Sequence, residues 1–162
     1  MPSAVLAVER ETNVGMGQIA VVGRDQLARS VLGSCIGVVL YDERKGLAAF
    51  AHVVLPASGG RAGTPGKFAD TAIPWMLDAL RAAGSDGKHV LAKITGGSNM
   101  FAADGPFQIG KQNADAVRAL LKSAGIRLVA EHLGGTHGRR VTFHPDTAVL
   151  EIECVGLESV AI

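Results

Sequence analysis

A cysteine and a histidine flank the most apolar hairpin that the sequence predicts. Cys35 directly precedes one strand-like run, and His52 lies within the next. If residues 43–46 form the turn, Gly37 lies opposite His52 in the antiparallel pair, and Cys35 lies opposite Val54. A glycine opposite the imidazole would leave the ring room to turn toward the sulfur. Cys35 and His52 are then diagonal neighbours on one face, with their backbones about 7–8 Å apart and their side chains within reach of each other. A turn one residue longer or shorter would place them on opposite faces.

A thiol beside an imidazole is the pair that nucleophilic attack on an amide or an ester requires. The thiolate of Cys35 would attack, and a nearby imidazolium at His52 would lower the pKa of the thiol and later protonate the leaving group. The small residues Gly33 and Ser34 before the cysteine would let the backbone approach a carbonyl, as an oxyanion hole needs. A third group must orient the imidazole, and Ser30 is the nearest hydroxyl before this Gly-Ser-Cys segment.

The spacing of these residues alone does not distinguish a catalytic role from a structural one. A cysteine on an apolar strand is more often a small buried side chain, which is the favoured reading of Cys154 and an open one for Cys35. A histidine among apolar residues is more often a hydrogen-bonded core residue, so His52 alone is ambiguous as well. The spacing of His132, His137 and His144 fits no standard metal site. A loose dinucleotide-type match at Gly15-x-Gly17-x-x-Ala20 lacks the strand, turn and helix that such a motif needs.

The surrounding elements indicate an α+β protein, an α/β sandwich with mixed, largely antiparallel sheets and two main helices. The coarse order is strands, helix, strand, helix, strands, which does not alternate as a doubly wound sheet would. Runs rich in Val, Ile and Leu predict strands near residues 4–9, 18–22, 36–42, 47–55, 88–95, 126–132, 139–144 and 147–155.

Two segments have apolar residues at helical spacing, 68–83 and 111–124, and each is followed by a glycine. Pro74 lies inside the first segment, so that helix is either kinked at Pro74 or begins just before it. Asn113 is the predicted N-cap of the second helix. The long irregular segment 57–67 between the hairpin and the first helix is of a length that is more often functional than idle.

Composition limits the class of protein. The chain has 162 residues with 16 basic and 15 acidic side chains, and we expect a single domain spanning residues 1–162. This charge balance and the seven aromatic residues argue against nucleic acid as a partner. Two cysteines do not form a disulfide framework. No apolar run is long enough to span a membrane and no signal peptide is apparent, so we expect a cytoplasmic protein without membrane insertion.

Several segments together resemble the CheD family of chemoreceptor glutamine deamidases. The likeness covers roughly residues 15–155 and is distributed over many elements, which makes it more specific than any single motif. The matching segments are Leu32-Gly33-Ser34-Cys35, Val38-Val39-Leu40-Tyr41-Asp42, Ala51-His52-Val53-Val54-Leu55-Pro56, Pro65-Gly66-Lys67-Phe68-Ala69-Asp70-Thr71-Ala72, Gly96-Gly97-Ser98-Asn99-Met100-Phe101, Ile109-Gly110, Asn113 and Gly134-Gly135.

The resemblance implies hydrolysis of glutamine side chains in bacterial chemotaxis receptors to glutamate, with release of ammonia and without a metal or cofactor. It implies that Cys35 is the nucleophile and His52 the base. The family's third residue is typically a threonine five or six positions before the cysteine, and this chain has Arg29-Ser30 there, so Ser30 is the candidate. Lys111-Gln112 before Asn113 is a second departure, since arginine is expected beside the asparagine.

The resemblance also implies a fold and partners. The fold would be similar to the catalytic domains of deamidating cytotoxic necrotizing factor toxins. The partners would be the receptors and a CheC-type phosphatase, with Phe101 as a docking candidate, and the chain would be a monomer. An alternative is a non-catalytic CheD-like regulator that binds and modulates such a phosphatase. A thiol enzyme acting on another amide or on methyl esters is a third possibility.

Overall fold

The computed structural model describes residues 10–99 and 108–162. Within them, ten strands and two helices follow the predicted order of strands, helix, strand, helix, strands. The strands are β1 (Arg10–Asn13), β2 (Ile19–Val22), β3 (Gln26–Leu32), β4 (Ile36–Asp42), β5 (Leu47–Val53), β6 (Leu91–Gly96), β7 (Arg127–Leu133), β8 (Arg139–His144), β9 (Val149–Cys154) and β10 (Val160–Ala161). The helices are α1 (Ala69–Ala82) and α2 (Ile109–Ser123), and a short 3₁₀ turn (Pro65–Lys67) precedes α1.

The strands form two five-stranded sheets. One sheet has the order β1-β3-β8-β9-β10 and the other has the order β2-β5-β4-β6-β7. The pairs β1–β3 and β6–β7 are parallel, and the remaining pairs are antiparallel. The predicted mixed α+β architecture with two helices and largely antiparallel sheets is confirmed.

Strand β4 shows how the layers pack, because all seven of its residues are buried. Its alternate side chains belong to two different apolar clusters, as expected for a strand that is covered on both faces. Val38 and Leu40 pack with residues of α1 and α2. Val39 and Tyr41 pack with residues of the first sheet, including Phe143. The second sheet therefore lies between the helices and the first sheet.

The predicted hairpin register is confirmed. Asp42 pairs with Leu47 and Gly37 pairs with His52 in the β4–β5 ladder. The last pair of the ladder is Ile36 with Val53, one residue short of Cys35.

Both predicted helices are present. Helix α1 begins at Ala69 and continues through Pro74, so of the two alternatives for this helix the one that places Pro74 in the first turn is wrong. Helix α2 begins at Ile109, which places Asn113 inside the helix rather than at its N-cap. The described helices include none that is both long enough and apolar enough to cross a membrane.

Candidate active site

His52 lies on β5 with its side chain on the face that packs against the first sheet. The ring is buried, with 4% of its surface exposed. Its backbone is held by the loop that precedes β2, since the His52 amide donates to the carbonyl of Gln18 and the His52 carbonyl accepts from the amide of Gly17. The strand thus fixes where the imidazole enters the space between the sheets.

The Nδ1 atom of His52 lies within hydrogen-bond distance of two oxygen atoms. Ser30 Oγ is 2.9 Å away and the carbonyl oxygen of Val14 is 3.1 Å away. Ser30 also donates its hydroxyl proton to that Val14 carbonyl, at 2.6 Å. The three groups form a small closed network around one side of the ring.

This network assigns the tautomer of the neutral ring. The carbonyl of Val14 can only accept, and the hydroxyl proton of Ser30 is directed to that carbonyl, so Nδ1 must carry the proton and donate it. The Nε2 atom of His52 then has a free lone pair. A neutral imidazole in this tautomer is the form that can accept a proton from a thiol or from water.

Burial shifts the pKa values of both predicted catalytic groups toward their neutral forms. Loss of hydration lowers the pKa of His52 below its usual 6.5, and the hydrogen bond to Val14 opposes this in part. Burial raises the pKa of the Cys35 thiol above its usual 9.0. Burial therefore disfavours the charged forms of both groups, the thiolate and the imidazolium.

The Gly33-Ser34-Cys35 segment is held by its carbonyl groups. The carbonyl of Cys35 accepts from the amide of Gly97 and that of Gly33 accepts from the amide of Ser98, both at 2.9 Å. The carbonyl of Ser34 accepts from the side chain of Asn113 at 3.1 Å. In the described part of the chain, the amides of Ser34 and Cys35 donate to no backbone carbonyl.

Asn113 connects the cysteine segment to the histidine strand. Its Nδ2 donates to the carbonyl of Ser34 and, at 2.9 Å, to that of Val54, two residues past His52. The side chain is fully buried. One carboxamide thus ties together the two segments that carry the thiol and the imidazole. The sequence contained a signal for this, because Asn113 is a polar residue four and eight positions before the buried apolar residues Val117 and Leu121 of the same helix face.

Gly96 allows the close approach of β6 to the cysteine. A Cβ atom at Gly96 would lie 2.1 Å from the carbonyl oxygen of Cys35, and Gly96 has a φ angle of +116°. Gly97 and Gly110 also meet backbone to backbone, since a Cβ at Gly110 would lie 2.5 Å from the carbonyl oxygen of Gly97. These glycines bring β6 and α2 against the back of the cysteine segment.

The space beside Gly37 is filled by other side chains than the imidazole of His52. We expected this glycine to leave room for the imidazole across the strand pair. The atoms nearest to a Cβ at Gly37 instead belong to Leu32 at 2.8 Å and Phe50 at 3.0 Å. The absence of a side chain at Gly37 therefore serves the packing between the sheets, because two large apolar groups occupy the space.

A cleft of about 460 Å³ reaches the network from solvent. Ser30 and His52 line it together with the loop that follows β1 and with residues on the outer face of the first sheet. Cys35 is not part of its lining and is 8% exposed. The structure therefore brings Ser30 and His52 into direct contact, and it places Cys35 at the start of the neighbouring strand.

The other residues singled out in the sequence lie away from this network. Cys154 is a free thiol at the end of β9, half-buried against the core between the sheets. His132 contacts Arg139, and His144 contacts Glu151. No cluster of metal-ligating side chains is found within residues 10–99 and 108–162. The docking candidate Phe101 lies outside the described residues.

The fold and the site together define an α+β protein with a thiol directly before β4 and an imidazole near the end of the adjacent antiparallel strand β5. A hydroxyl and a carbonyl orient the imidazole. The family model for CheD chemotactic sensory transduction matches residues 54–154. The chain belongs to the CheD family.

Curated relatives match most of the chain. It is 42% identical over 135 residues to the probable chemoreceptor glutamine deamidase CheD of Archaeoglobus fulgidus, covering 82% of this chain and 86% of the relative. It is 39% identical over 144 residues to the chemoreceptor glutamine deamidase CheD of Thermotoga maritima, covering 88% and 91%. The chemoreceptor glutamine deamidase CheD of Halalkalibacterium halodurans is 38% identical, with 88% and 92% covered.

Among solved structures, the hypothetical protein YfiH of Bacillus licheniformis is similar with a TM-score of 0.46 and 20% identity, covering 70% of this chain and 49% of that one. This likeness is too low to support an argument about fold or function. The expected similarity to the toxin catalytic domains stays a prediction.

Proposed function

We propose that this protein is a chemoreceptor glutamine deamidase, an amidohydrolase in which Cys35 is the nucleophile and His52 the general base. The observation that carries the proposal is the network around Nδ1 of His52, which leaves Nε2 free to accept a proton. The printed names of the curated relatives support the substrate, since they are chemoreceptor glutamine deamidases.

In the first half of the reaction, Nε2 of His52 takes the thiol proton as Cys35 Sγ attacks the carboxamide carbon of a receptor glutamine. The new S–C bond forms, and the carbonyl oxygen becomes an oxyanion. The amides of Ser34 and Cys35 are the candidate donors to that oxyanion, and Gly33 leaves the approach to them open. The C–N bond then breaks, the imidazolium gives its proton to the leaving nitrogen, and ammonia departs from a thioester.

In the second half, water attacks the thioester and gives a proton to Nε2 of His52. The C–S bond breaks, the proton returns to the sulfur of Cys35, and the receptor carries glutamate. Ser30 and the Val14 carbonyl keep Nδ1 protonated through both halves and stabilise the imidazolium when it forms. The cycle consumes one water and releases one ammonia, so it requires no redox partner.

Release of ammonia from a purified receptor fragment tests this function. The wild-type protein is expected to release ammonia, and Cys35→Ala is expected to release none above the uncatalysed background. Cys154→Ala is the matched control, because it removes the other thiol of the chain, which lies half-buried at the end of β9. A Cys35→Ala variant that folds and keeps substantial activity would refute the mechanism.

A second candidate is a non-catalytic regulator that binds a CheC-type phosphatase. The observation that favours it is the burial of Cys35, which raises the pKa of its thiol and so makes it less reactive than an exposed thiolate. A folded wild-type protein that binds the phosphatase and releases no ammonia from any receptor fragment would favour this role. A pull-down of the phosphatase by wild-type protein and by Phe101→Ala tests the proposed docking residue, and the molecular mass of this protein alone in solution tests its proposed monomeric state.

A further inference from the structure

Two large apolar side chains stand exposed at the rim of the cleft that reaches His52. Met16 is 72% exposed and Val31 is 68% exposed, although both line the cleft. Met16 lies in the loop between β1 and β2, and Val31 lies on the outer face of β3. Single exposed apolar residues are common on protein surfaces, but these two both line the cleft that reaches the candidate active site.

The charged residues of the same rim are all cationic. Arg29 and Arg140 line the cleft, and no carboxylate does. Arg29 pairs with Glu11 at 3.1 Å on the exposed surface. Arg140 lies opposite Glu153 in the β8–β9 ladder, yet within the described residues no hydrogen bond or ion pair involves its side chain. An exposed guanidinium without a partner beside an active-site cleft is available to a ligand carboxylate.

We propose that the rim formed by Met16, Val31, Arg29 and Arg140 binds a receptor segment in which carboxylate and apolar side chains flank the target glutamine. This inference rests on the proposed function, because it assigns the substrate surface of that same site. The cationic rim is complementary in charge to an acidic segment, and the reaction itself adds negative charge to the substrate. Each turnover replaces a neutral amide with a carboxylate, so a segment with several target glutamines becomes a better match for the rim as conversion proceeds.

The rim predicts a preference that peptides can measure. Two receptor-like peptides with one target glutamine are compared, one with glutamate and one with glutamine at the flanking positions. The wild-type protein is expected to deamidate the glutamate-flanked peptide with the higher kcat/KM, through a lower KM. Added salt is expected to reduce this preference, because exposed charges are screened over about 10 Å at 0.1 M ionic strength.

Arg140→Glu is expected to raise the KM for the glutamate-flanked peptide by about tenfold and to remove the preference. Arg127→Glu is the matched control. It makes the same change in net charge at an exposed position on β7, outside the cleft lining. An equal preference in wild type and Arg140→Glu, with full activity on both peptides, would overturn the proposal.

The apolar part of the rim has its own pair of variants. Met16→Ser is expected to raise KM severalfold on both peptides, whereas Val129→Ser, at a 44% exposed position on β7, is expected to leave KM as in wild type.

Wild-type protein that deamidates neither peptide nor an intact receptor fragment would refute the proposed function. Wild-type activity that Arg140→Glu and Met16→Ser do not alter would refute only the recognition surface. Loss of phosphatase binding in these variants with receptor activity retained would assign the rim to the phosphatase and overturn the proposal as well.

Discussion

Gly96→Ala provides a test of how closely β6 must approach the cysteine segment. An added methyl group would lie 2.1 Å from the carbonyl oxygen of Cys35, where real Cβ contacts essentially never fall below 3.0 Å. The carbonyl must therefore move by about 1 Å, a displacement that can cost on the order of 100-fold in rate when it misplaces a reacting group. The hydrogen bond from the Gly97 amide to this carbonyl must lengthen or break.

The same substitution also strains the backbone, since Gly96 has a φ angle of +116°. Strain of this kind costs on the order of 1–3 kcal/mol of stability. Gly125→Ala is the matched control, because Gly125 has a φ angle of +71° and no atom within 4 Å of the added methyl group. Both variants are expected to lose stability, and only Gly96→Ala is expected to lose catalysis as well.

The assay combines chemical denaturation with steady-state ammonia release from a receptor fragment, measured well below the unfolding transition of each variant. We expect kcat/KM of Gly96→Ala to fall about 100-fold, with Gly125→Ala within twofold of wild type. If Gly96→Ala is folded and its kcat/KM matches that of Gly125→Ala, the position of the Cys35 carbonyl does not matter for the reaction. The placement of the nucleophile derived above would then be incorrect.

Four further predictions concern the groups around the thiol and the imidazole. Ser30→Ala is expected to lower kcat about 5- to 10-fold in the ammonia assay, since one of two partners of Nδ1 is lost, and a change below twofold would remove Ser30 from the mechanism. Asn113→Asp is expected to lower stability on denaturation by about 1–3 kcal/mol and to slow alkylation of Cys35, because a carboxylate cannot donate to two carbonyls; an unaltered alkylation rate would contradict its positioning role. The value of kcat/KM is expected to increase with pH through a pKa below 6.5, as the imidazole of His52 becomes neutral. It is then expected to stay constant up to the pKa of the Cys35 thiol, which lies above 9.0. The lowered pKa of His52 also means that the unfolded chain binds a proton more readily, so stability falls as pH drops below about 6.5; a higher stability there would contradict the buried neutral ring.

The hairpin could be predicted from the sequence because its register depends on local features. Two apolar runs flank the polar residues 43–46, and once these four residues form the turn, the pair of Gly37 with His52 follows from the turn length. The two helices were predictable for the same reason, since each has a regular apolar stripe and a glycine at its end.

The network around His52 could not be predicted in full because it depends on β3. That strand contains Ala28, Arg29 and Ser30, residue types that give no strand pattern by themselves, and it was not predicted. Pairing with β8 makes it a strand and places Ser30 beside the imidazole. The Val14 carbonyl is a backbone group and has no signature in the sequence at all.

The measurement that tests the central claim most directly is detection of the acyl intermediate on Cys35. A receptor peptide with one glutamine is mixed with the protein, the reaction is quenched in acid during steady state, and the protein is digested and analysed by mass spectrometry. We expect the Cys35 peptide to carry the receptor peptide less one ammonia, with no such adduct on Cys154 or in Cys35→Ala. Conversion of the glutamine to glutamate by Cys35→Ala at the wild-type rate would contradict the account.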